Sequence, residues 1–389
     1  MPGWELFGDD EKKAVTELFD LNGGVMFAHG FPAQRKNIFR VREFEAAVAA
    51  YSGAKYCQAV SSGSAALLVA LKALGIGPGD EVITSSFTFV ATVEAIIAAG
   101  AVPVLTEIDD TFTMDPDDCA RRITPKTKAI IPVHMAGAPC DMDRIMEIAN
   151  RRGLLVLEDA AQHFGGRYRG RMVGTIGHAG IFSLDFQKTI TTGEGGVVIT
   201  SDPAVFERAR AYHDHGHDYN PTVPRGRDTR SAGGFNYRMT EFQAAIGLVQ
   251  LRKAEEVLAA QRRNRDRIVS GLSPLNLTYR RFTCDDPDGG DTIIFLLEDE
   301  SRATMFAAAL GQHGVGTKNL PDAIDWHFAG TWDHMLRDYG LSPCARQWPA
   351  SDTLLRRAIA LPVLVRMSDS DIARVIDGVH AAAAVQPVA

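Results

Sequence analysis

The chain has 389 residues, of which 46% are hydrophobic and 23% are charged, as in an ordinary globular protein. This length predicts about two domains with a large buried core. The formal net charge of −7 argues against general binding of nucleic acid or of an anionic membrane. The five cysteines are scattered and include no Cys-x-x-Cys pair, which indicates free thiols in a reducing compartment.

The start of the chain, MPGWELFGDDEKKAV, is acidic and amphipathic, unlike a signal peptide. The long apolar run from Phe89 to Leu105 contains Glu94 and Pro103, so we do not expect it to cross a membrane. A cytoplasmic location is therefore expected.

Short apolar runs alternate with helix-like segments through the first half of the chain. YCQAV precedes SAALLVALKAL, EVITSS precedes FVATVEAIIAAG, and the later runs are VPVLTEI, AIIPVH, LLVLED, GIFSL and GVVIT. Apolar runs separated by helices are typical of a mostly parallel sheet that is covered on both faces. The predicted fold class is therefore α/β.

The pattern changes at about Glu241, where one long helical segment rich in Ala, Leu, Glu and Arg begins. It is followed by a candidate strand, TIIFLL, and by a terminal helix from about Ser368. We predict a large domain over residues 1–250 and a smaller α+β domain over residues 251–389.

Lys188 lies between the apolar run GIFSL and a loop of threonines and glycines. A Walker loop needs its glycines before the lysine, whereas Gly193, Gly195 and Gly196 follow it, which excludes that motif. The segment GIGPGD follows a helix and precedes a strand, so it is interpreted as a helix end and turn. No Gly-x-Ser-x-Gly motif of a serine hydrolase is present.

The segment HDHGHDY places His213, His215 and His217 at alternate positions, as in some metal sites. Because it runs into the polar sequence NPTVPRGRDTRSAGG, we interpret it as part of a mobile substrate loop and predict no metal. Three arginines of this loop are candidates for binding a diphosphate or carboxylate, or are solvated: Arg225, Arg227 and Arg230.

A lysine that forms a Schiff base is expected just after a strand, at the carboxyl edge of a parallel sheet. Such a lysine usually serves pyridoxal phosphate, which also needs an acid beside its ring nitrogen, a phosphate cradle and a stacking ring. Asp159 ends LLVLED, Phe89 follows EVITSS, and Gly63, Ser64 and Ala65 begin a helix whose positive end attracts phosphate. Taken one at a time, Asp159 is explained as a helix cap, Phe89 as a core residue and Ser64 as an N-cap. Together these residues favour a pyridoxal phosphate site.

Five segments closely resemble the DegT/DnrJ/StrS family of sugar aminotransferases, which are pyridoxal phosphate enzymes of fold type I. They are SGSAALLVALKALGIGPGDEVITSSFTFVAT, PVHMAGAPCDMD, LEDAAQHFGG, FSLDFQKTITTGEGG and GGFNYRMTEFQAAIGLVQL. The resemblance covers roughly residues 10–255, and more loosely the rest. It implies a large domain with a mostly parallel seven-stranded sheet flanked by helices, plus a smaller α+β C-terminal domain.

By this resemblance Lys188 is the Schiff-base lysine and Asp159 the partner of the pyridine nitrogen, and these are the predicted catalytic residues. Phe89 is expected to stack on the cofactor ring, and Gln162 to bond the ring hydroxyl. The implied phosphate cradle consists of Gly63, Ser64, Ala65 and Ser183. Asn236 matches an asparagine that reaches the phosphate of the other subunit, which implies a homodimer with shared active sites.

The departures from the family pattern mostly concern the substrate. Ser64 replaces the commoner threonine and keeps the hydroxyl, whereas Ala136 stands where the family usually carries a larger residue, often tyrosine. Residues 318–335 replace the usual histidine-containing substrate loop. The candidate substrate contacts are His134, His215, Arg230, Lys318 and His327.

The resemblance implies transfer of the amino group of L-glutamate to a keto-sugar in amino-sugar biosynthesis. The keto-sugar is expected to be a nucleotide-linked keto-deoxysugar, or a sugar acid such as an octulosonate, which the MPGWELFG start and the segment 318–335 suggest. One alternative is a pyridoxal-dependent sugar dehydratase, although such relatives carry histidine in place of Lys188. The other alternative is a non-catalytic sensor or regulator of the same fold.

Overall fold

The computed structural model describes residues 3–286 and 288–385, so the outer limits of the two predicted domains lie outside the described residues. Its helices are α1 (Asp9–Leu21), α2 (Arg40–Ser52), α3 (Gly63–Ala73), α4 (Ala91–Ala98), α5 (Pro116–Arg121), α6 (Met142–Arg152), α7 (Pro203–Tyr212), α8 (Glu241–Leu272), α9 (Glu300–Gln312), α10 (Ile324–His327), α11 (Asp333–Leu336), α12 (Pro349–Arg356) and α13 (Asp369–Ala384). Its strands are β1 (Tyr56–Val60), β2 (Glu81–Ser85), β3 (Val102–Thr106), β4 (Thr127–Ile131), β5 (Leu155–Asp159), β6 (Arg167–Tyr168), β7 (Arg171–Met172), β8 (Ala179–Ser183), β9 (Gly196–Thr200), β10 (Thr278–Tyr279), β11 (Thr292–Leu296) and β12 (Ala358–Pro362).

Seven strands form the central sheet in the order β1-β9-β8-β5-β4-β2-β3. The pairs from β8 to β3 are parallel, and β9 runs antiparallel to both of its neighbours. One core on this sheet includes residues of α3 and α4, and a second includes residues of α2, α6 and α8. Because helices cover both faces, the strands are almost continuously apolar. The predicted α/β fold with a mostly parallel seven-stranded sheet is confirmed.

Strands β1, β5 and β8 run in the same direction, so their carboxyl ends lie at one edge of the sheet. Val60 at the end of β1 and Ser183 at the end of β8 both pair with Gly196. Asp159 ends β5 beside Ile181 of β8. The register therefore brings together three chain segments that are far apart in the sequence.

A smaller antiparallel sheet, β10-β11-β12, lies in the C-terminal part. Helices α9 and α13 and the end of α8 share a core with it. The predicted strand TIIFLL corresponds to β11, and the predicted terminal helix to α13, which Ser368 caps; both predictions are confirmed. Helix α8 passes through residue 250 without interruption, so the predicted division there stays a prediction.

Two further sequence interpretations can be compared with the structure. The segment GIGPGD forms a turn after α3, in which the carboxylate of Asp80 accepts the N–H of Gly77 over 2.9 Å, as predicted. Across residues 3–286 and 288–385, none of the helices has the length and apolar character needed to span a bilayer.

Candidate active site

Asp159 is a buried carboxylate at the end of β5. Its Oδ2 accepts the hydroxyl of Thr92 over 2.8 Å, and its Oδ1 accepts the N–H of Ala161 over 3.1 Å. Burial raises the pKa of Asp159 because it disfavours the charged form, although these hydrogen bonds and the charge of Lys188 act in the opposite direction. Since burial leaves the charged carboxylate with little water around it, a cation beside it would stabilise the charged form and be stabilised in turn.

Lys188 follows β8 in a turn, where its N–H donates to the carbonyl oxygen of Asp185 over 3.0 Å. Burial lowers the pKa of Lys188, because removal from water disfavours the ammonium form. The charges of Asp185 and Asp159 raise this pKa, and the charge of Lys318 lowers it. Its amine thus lies within electrostatic reach of Asp159 and loses its proton more easily than an exposed lysine.

The loop between β1 and α3 meets the end of β8. Ser62, rather than Ser64, is the N-cap of α3, since its Oγ accepts the N–H of Ala65 over 3.0 Å. Gly63 lies so close to Ser183 that an added Cβ would come within 2.7 Å of the serine Cβ. The first N–H groups of a helix have no partner inside it, so those of Gly63 and Ser64 are suited to an anion.

Phe89 and Gln162 lie at the same edge of the sheet. Phe89 precedes α4 and its side chain is 42% exposed, so the interpretation as a core residue is wrong. Gln162 is buried, and its Oε1 accepts the N–H of Ala136 over 3.1 Å. Ala136 has a positive φ of 49° and starts a tight turn with Gly137. The main chain at this position, rather than the alanine side chain that departs from the family pattern, thus helps to orient Gln162.

The charges of Lys188 and Lys318 both contribute to lowering the pKa of His327, so the three groups lie within electrostatic reach of one another. Burial is the main cause of that shift. The ammonium of Lys318 forms an ion pair with Asp291 and donates to the hydroxyl of Thr292 over 2.7 Å. These two candidate substrate residues are thus brought to the site.

His134 is placed differently. It is completely buried, its Nδ1 accepts the N–H of Cys140 over 3.1 Å, and its Nε2 lies 3.0 Å from Glu158 Oε2. Both ring nitrogens are therefore occupied by protein groups. A substrate contact by His134 stays a prediction that this geometry does not favour.

The loop that was interpreted as a mobile substrate loop is tied down by Asp214. This buried carboxylate pairs with Arg225 over 2.6 Å and also with Arg238, and it accepts the hydroxyl of Tyr219 over 2.7 Å. Arg225 is therefore only partly exposed, and its charge is paired with a buried carboxylate. His215 and Arg230 lie exposed on the same loop.

The three histidines of HDHGHDY do not point to common partners. His213 is buried with its Nε2 3.2 Å from Gln58 Nε2, and His217 Nδ1 lies 3.2 Å from Asp228. Over the part of the chain that the structure describes, no cluster of three or more His, Cys, Asp or Glu side chains suits a metal ion.

Asn236 is exposed on the far side of this loop and pairs through its backbone with Asp214. Its Oδ1 accepts the N–H of Arg238, and the next carbonyl, that of Tyr237, accepts the N–H of Ser61 over 2.8 Å. Its exposed position is compatible with a contact to a second chain.

Sequence reasoning missed three residues of the site. Thr92 donates to Asp159 across 67 residues of sequence, and Asp291 holds Lys318. The ring of Trp326 lies nearly parallel to that of Phe89, at 17° and with centroids 6.5 Å apart. Only Trp326 carried a signal, because it belongs to the segment 318–335 that departs from the family pattern.

The residues present fit pyridoxal phosphate. A buried carboxylate with a raised pKa suits a protonated ring nitrogen, and a lysine with a lowered pKa suits a covalent bond to an aldehyde. The close approach of Gly63 to Ser183, beside free helix N–H groups, suits a phosphate. Fold and site together define a fold type I enzyme of the pyridoxal phosphate class.

The comparisons with known proteins agree with this class. Residues 36–380 match the DegT/DnrJ/EryC1/StrS aminotransferase family, and the chain belongs to this family. Membership implies dependence on pyridoxal phosphate and an aminotransferase activity.

Individual relatives are similar over different lengths. The chain is 47% identical to GDP-perosamine synthase of Caulobacter vibrioides over 222 residues, which span 57% of this chain and 58% of that protein. It is 35% identical to the spore coat polysaccharide biosynthesis protein SpsC of Bacillus subtilis, over 96% of this chain and 95% of that protein. The crystal structure of S. venezuelae DesV in complex with a ketimine intermediate is 30% identical with a TM-score of 0.83, covering 97% and 95% of the two chains.

Proposed function

We propose that this protein transfers the amino group of L-glutamate to a keto-sugar in amino-sugar biosynthesis. The observation that carries this proposal is the placement of Lys188 and Asp159, within electrostatic reach of each other, at the carboxyl edge of the sheet. The names of the relatives, which include a perosamine synthase and a spore coat polysaccharide protein, support a sugar as the acceptor.

In the proposed reaction, four residues of the site hold the cofactor or move a proton. Pyridoxal phosphate, when bound, supplies an aldehyde that takes up the amino group and a ring that withdraws electrons. Lys188 would hold this group covalently, and its free amine would move a proton as general base and acid. Asp159 keeps the proton on the ring nitrogen. Phe89 and Gln162 hold the ring.

The phosphate is proposed to bind at the start of α3. Its proposed ligands are the N–H groups of Gly63 and Ser64 and the hydroxyls of Ser64 and Ser183. Ala65, the remaining member of the predicted cradle, already donates its N–H to Ser62 Oγ. Asn236 is proposed to reach the phosphate of the partner chain, so that a homodimer holds two shared sites.

The keto-sugar is proposed to be a nucleotide-linked keto-deoxysugar or a sugar acid such as an octulosonate. Lys318 and His327, within electrostatic reach of Lys188, are proposed to supply a cation and an imidazole to this substrate. His215 and Arg230, on the exposed loop, are proposed to contact a more distant part of it.

The test is incubation of the purified, cofactor-loaded protein with L-glutamate and measurement of 2-oxoglutarate. One equivalent per site is expected without a sugar, and turnover when a panel of keto-sugars is added. Lys188→Ala should lose the covalent cofactor bond with its visible absorbance, and turnover should fall by several orders of magnitude. Absence of 2-oxoglutarate would favour a sensor, and loss of water from a sugar without glutamate would favour a dehydratase.

A further inference from the structure

Residues 3–7, which we call the brace, lie against the loop that carries Lys188. The N–H of Gly3 donates to the carbonyl oxygen of Lys188 over 2.9 Å. The ring of Trp4 stacks on that of Phe186, with centroids 5.6 Å apart and planes at 15°. Since the Lys188 N–H donates to Asp185, the main chain of this lysine is held on both sides.

The brace is fixed at its other end by Glu5. This carboxylate is buried, and it accepts the N–H of Val365 over 3.1 Å and that of Arg366 over 2.7 Å. Lys253 of α8 donates to the carbonyl oxygen of Leu6 over 2.8 Å. Hydrogen bonds to charged groups are about twice as strong as neutral ones, so this end is firmly held. The brace thus connects the Lys188 loop with the C-terminal part of the chain.

Gly3 leaves no room for a side chain. A Cβ added there would lie 2.5 Å from the carbonyl oxygen of Thr189 and 2.9 Å from that of Lys188. Both neighbours are backbone atoms, so a methyl group would have to move either the brace or the loop. At Gly8, in contrast, an added Cβ meets no atom within 4 Å.

We propose that Gly3, Trp4 and Glu5 are positioning residues for catalysis, which fix the main chain of Lys188 so that its amine keeps its place beside Asp159. This inference rests on the proposed role of Lys188. None of the three touches the reacting atoms; they act through the peptide backbone of the lysine. A displacement of about 1 Å at a reacting group lowers rates by about a hundredfold, which is the scale of the effect that the brace prevents.

The experiment compares Gly3→Ala with Gly8→Ala, which is the same change at a position where an added Cβ meets no atom within 4 Å. In the protein without cofactor, amide hydrogen exchange in residues 186–192 should be faster for Gly3→Ala and parental for Gly8→Ala. In the loaded enzyme, the pH at which the visible absorbance of the bound cofactor titrates should shift only for Gly3→Ala. Its kcat should fall about tenfold to a hundredfold, with the KM for glutamate within about threefold.

Glu5→Gln and Glu5→Ala keep the proposal testable if Gly3→Ala does not fold. The glutamine retains one acceptor for Val365 and Arg366, so it should show a smaller change in exchange and absorbance than the alanine. Parental exchange and absorbance in Gly3→Ala, or in both Glu5 variants, would reject the brace while leaving the role of Lys188 intact. If the parental protein binds no cofactor, the proposed function fails, and the exchange comparison still decides whether the brace fixes the loop.

Discussion

Burial acts in opposite directions on the two charged groups at the centre of the site. It raises the pKa of Asp159 and lowers that of Lys188, so each group is biased toward its neutral form. Each charge in turn favours the charged form of the other. A pair of this kind suits the proposed binding of a cationic ring and the proposed covalent chemistry, at some expense in stability.

Asp159→Asn tests this trade-off. A carboxyl whose pKa is higher in the folded than in the unfolded chain destabilises the folded state above its unfolded pKa, and not below it. Asparagine never ionises, so the variant without cofactor should be more stable than the parent, by a margin that grows as the pH rises above about 4 and levels off above the raised folded-state pKa. Its half-reaction with glutamate should be at least about a hundredfold slower.

The measurements are denaturant unfolding across this pH range and stopped-flow absorbance with glutamate. Asp377→Asn, on the exposed side of α13, is the control and should leave both unchanged. A parental half-reaction in Asp159→Asn would mean that Asp159 does not hold the ring nitrogen.

Lys318→Met should raise the pKa of Lys188. The change removes a positive charge that lowers this pKa, and it leaves the negative charge of Asp291, which raises it, without its ion-pair partner. Labelling of Lys188 by acetic anhydride in the protein without cofactor should therefore need a higher pH. Mass spectrometry of the labelled peptide measures the profile, with the exposed Lys126→Met as control; coincident profiles would exclude the charge contact.

At the scale of elements, the segment 318–335 is attached to the loop that carries Phe89. The N–H of Thr88 donates to the carbonyl oxygen of His327 over 2.8 Å, and that of Val90 to Trp326 over 3.1 Å. The proposed ring-stacking residue Phe89 and the segment that contains the proposed substrate contact His327 therefore share one hydrogen-bonded unit. Trp326, 62% exposed beside Phe89, forms its outer aromatic surface.

Trp326→Ala should affect the sugar more than the donor. Removal of an exposed aromatic surface is expected to raise the KM of the keto-sugar about tenfold, whereas the half-reaction with glutamate should stay within about twofold. Trp326→Phe keeps a ring and should restore most of the affinity. Steady-state kinetics with both substrates decide this, and an equal loss in both half-reactions would show that Trp326 supports Phe89 instead.

The helices and strands could be predicted from the sequence, and so could the candidate residues that are marked by their position at the end of a strand. Asp159 and Lys188 follow buried strands, and parallel strands place such residues at one edge. Contacts between distant segments could not be predicted from the sequence. The hydrogen bonds from Thr92 to Asp159 and from Gly3 to Lys188 depend on how the segments pack, and no local sequence pattern indicates them. His134 was predicted as a substrate contact, yet its Nε2 lies 3.0 Å from Glu158 Oε2 in the buried core.

At the scale of the whole molecule, Asn236 and Lys188 offer a test of the proposed dimer. If Asn236 serves the partner's cofactor, mixing inactive Lys188→Ala chains with Asn236→Ala chains gives mixed dimers with one intact site. Random pairing makes half of the dimers mixed, so about a quarter of the parental activity should return.

Differently tagged chains, co-expressed and purified through both tags, give the measurement. Each homodimer alone should remain inactive, which is the control for the two substitutions. No recovery in proven mixed dimers would place both residues in the same chain's site.

The contacts of Glu5 also have a consequence for the order of events during synthesis. Glu5 and its partners Val365 and Arg366 are separated by about 360 positions of the chain, so Glu5 is made long before they are. At roughly 5 to 20 residues per second, a ribosome needs roughly 20 to 70 s to make them. The central sheet is complete long before that, because its last strand ends at Thr200, so a nascent chain carries its lysine loop without this support until residues 365 and 366 have been made.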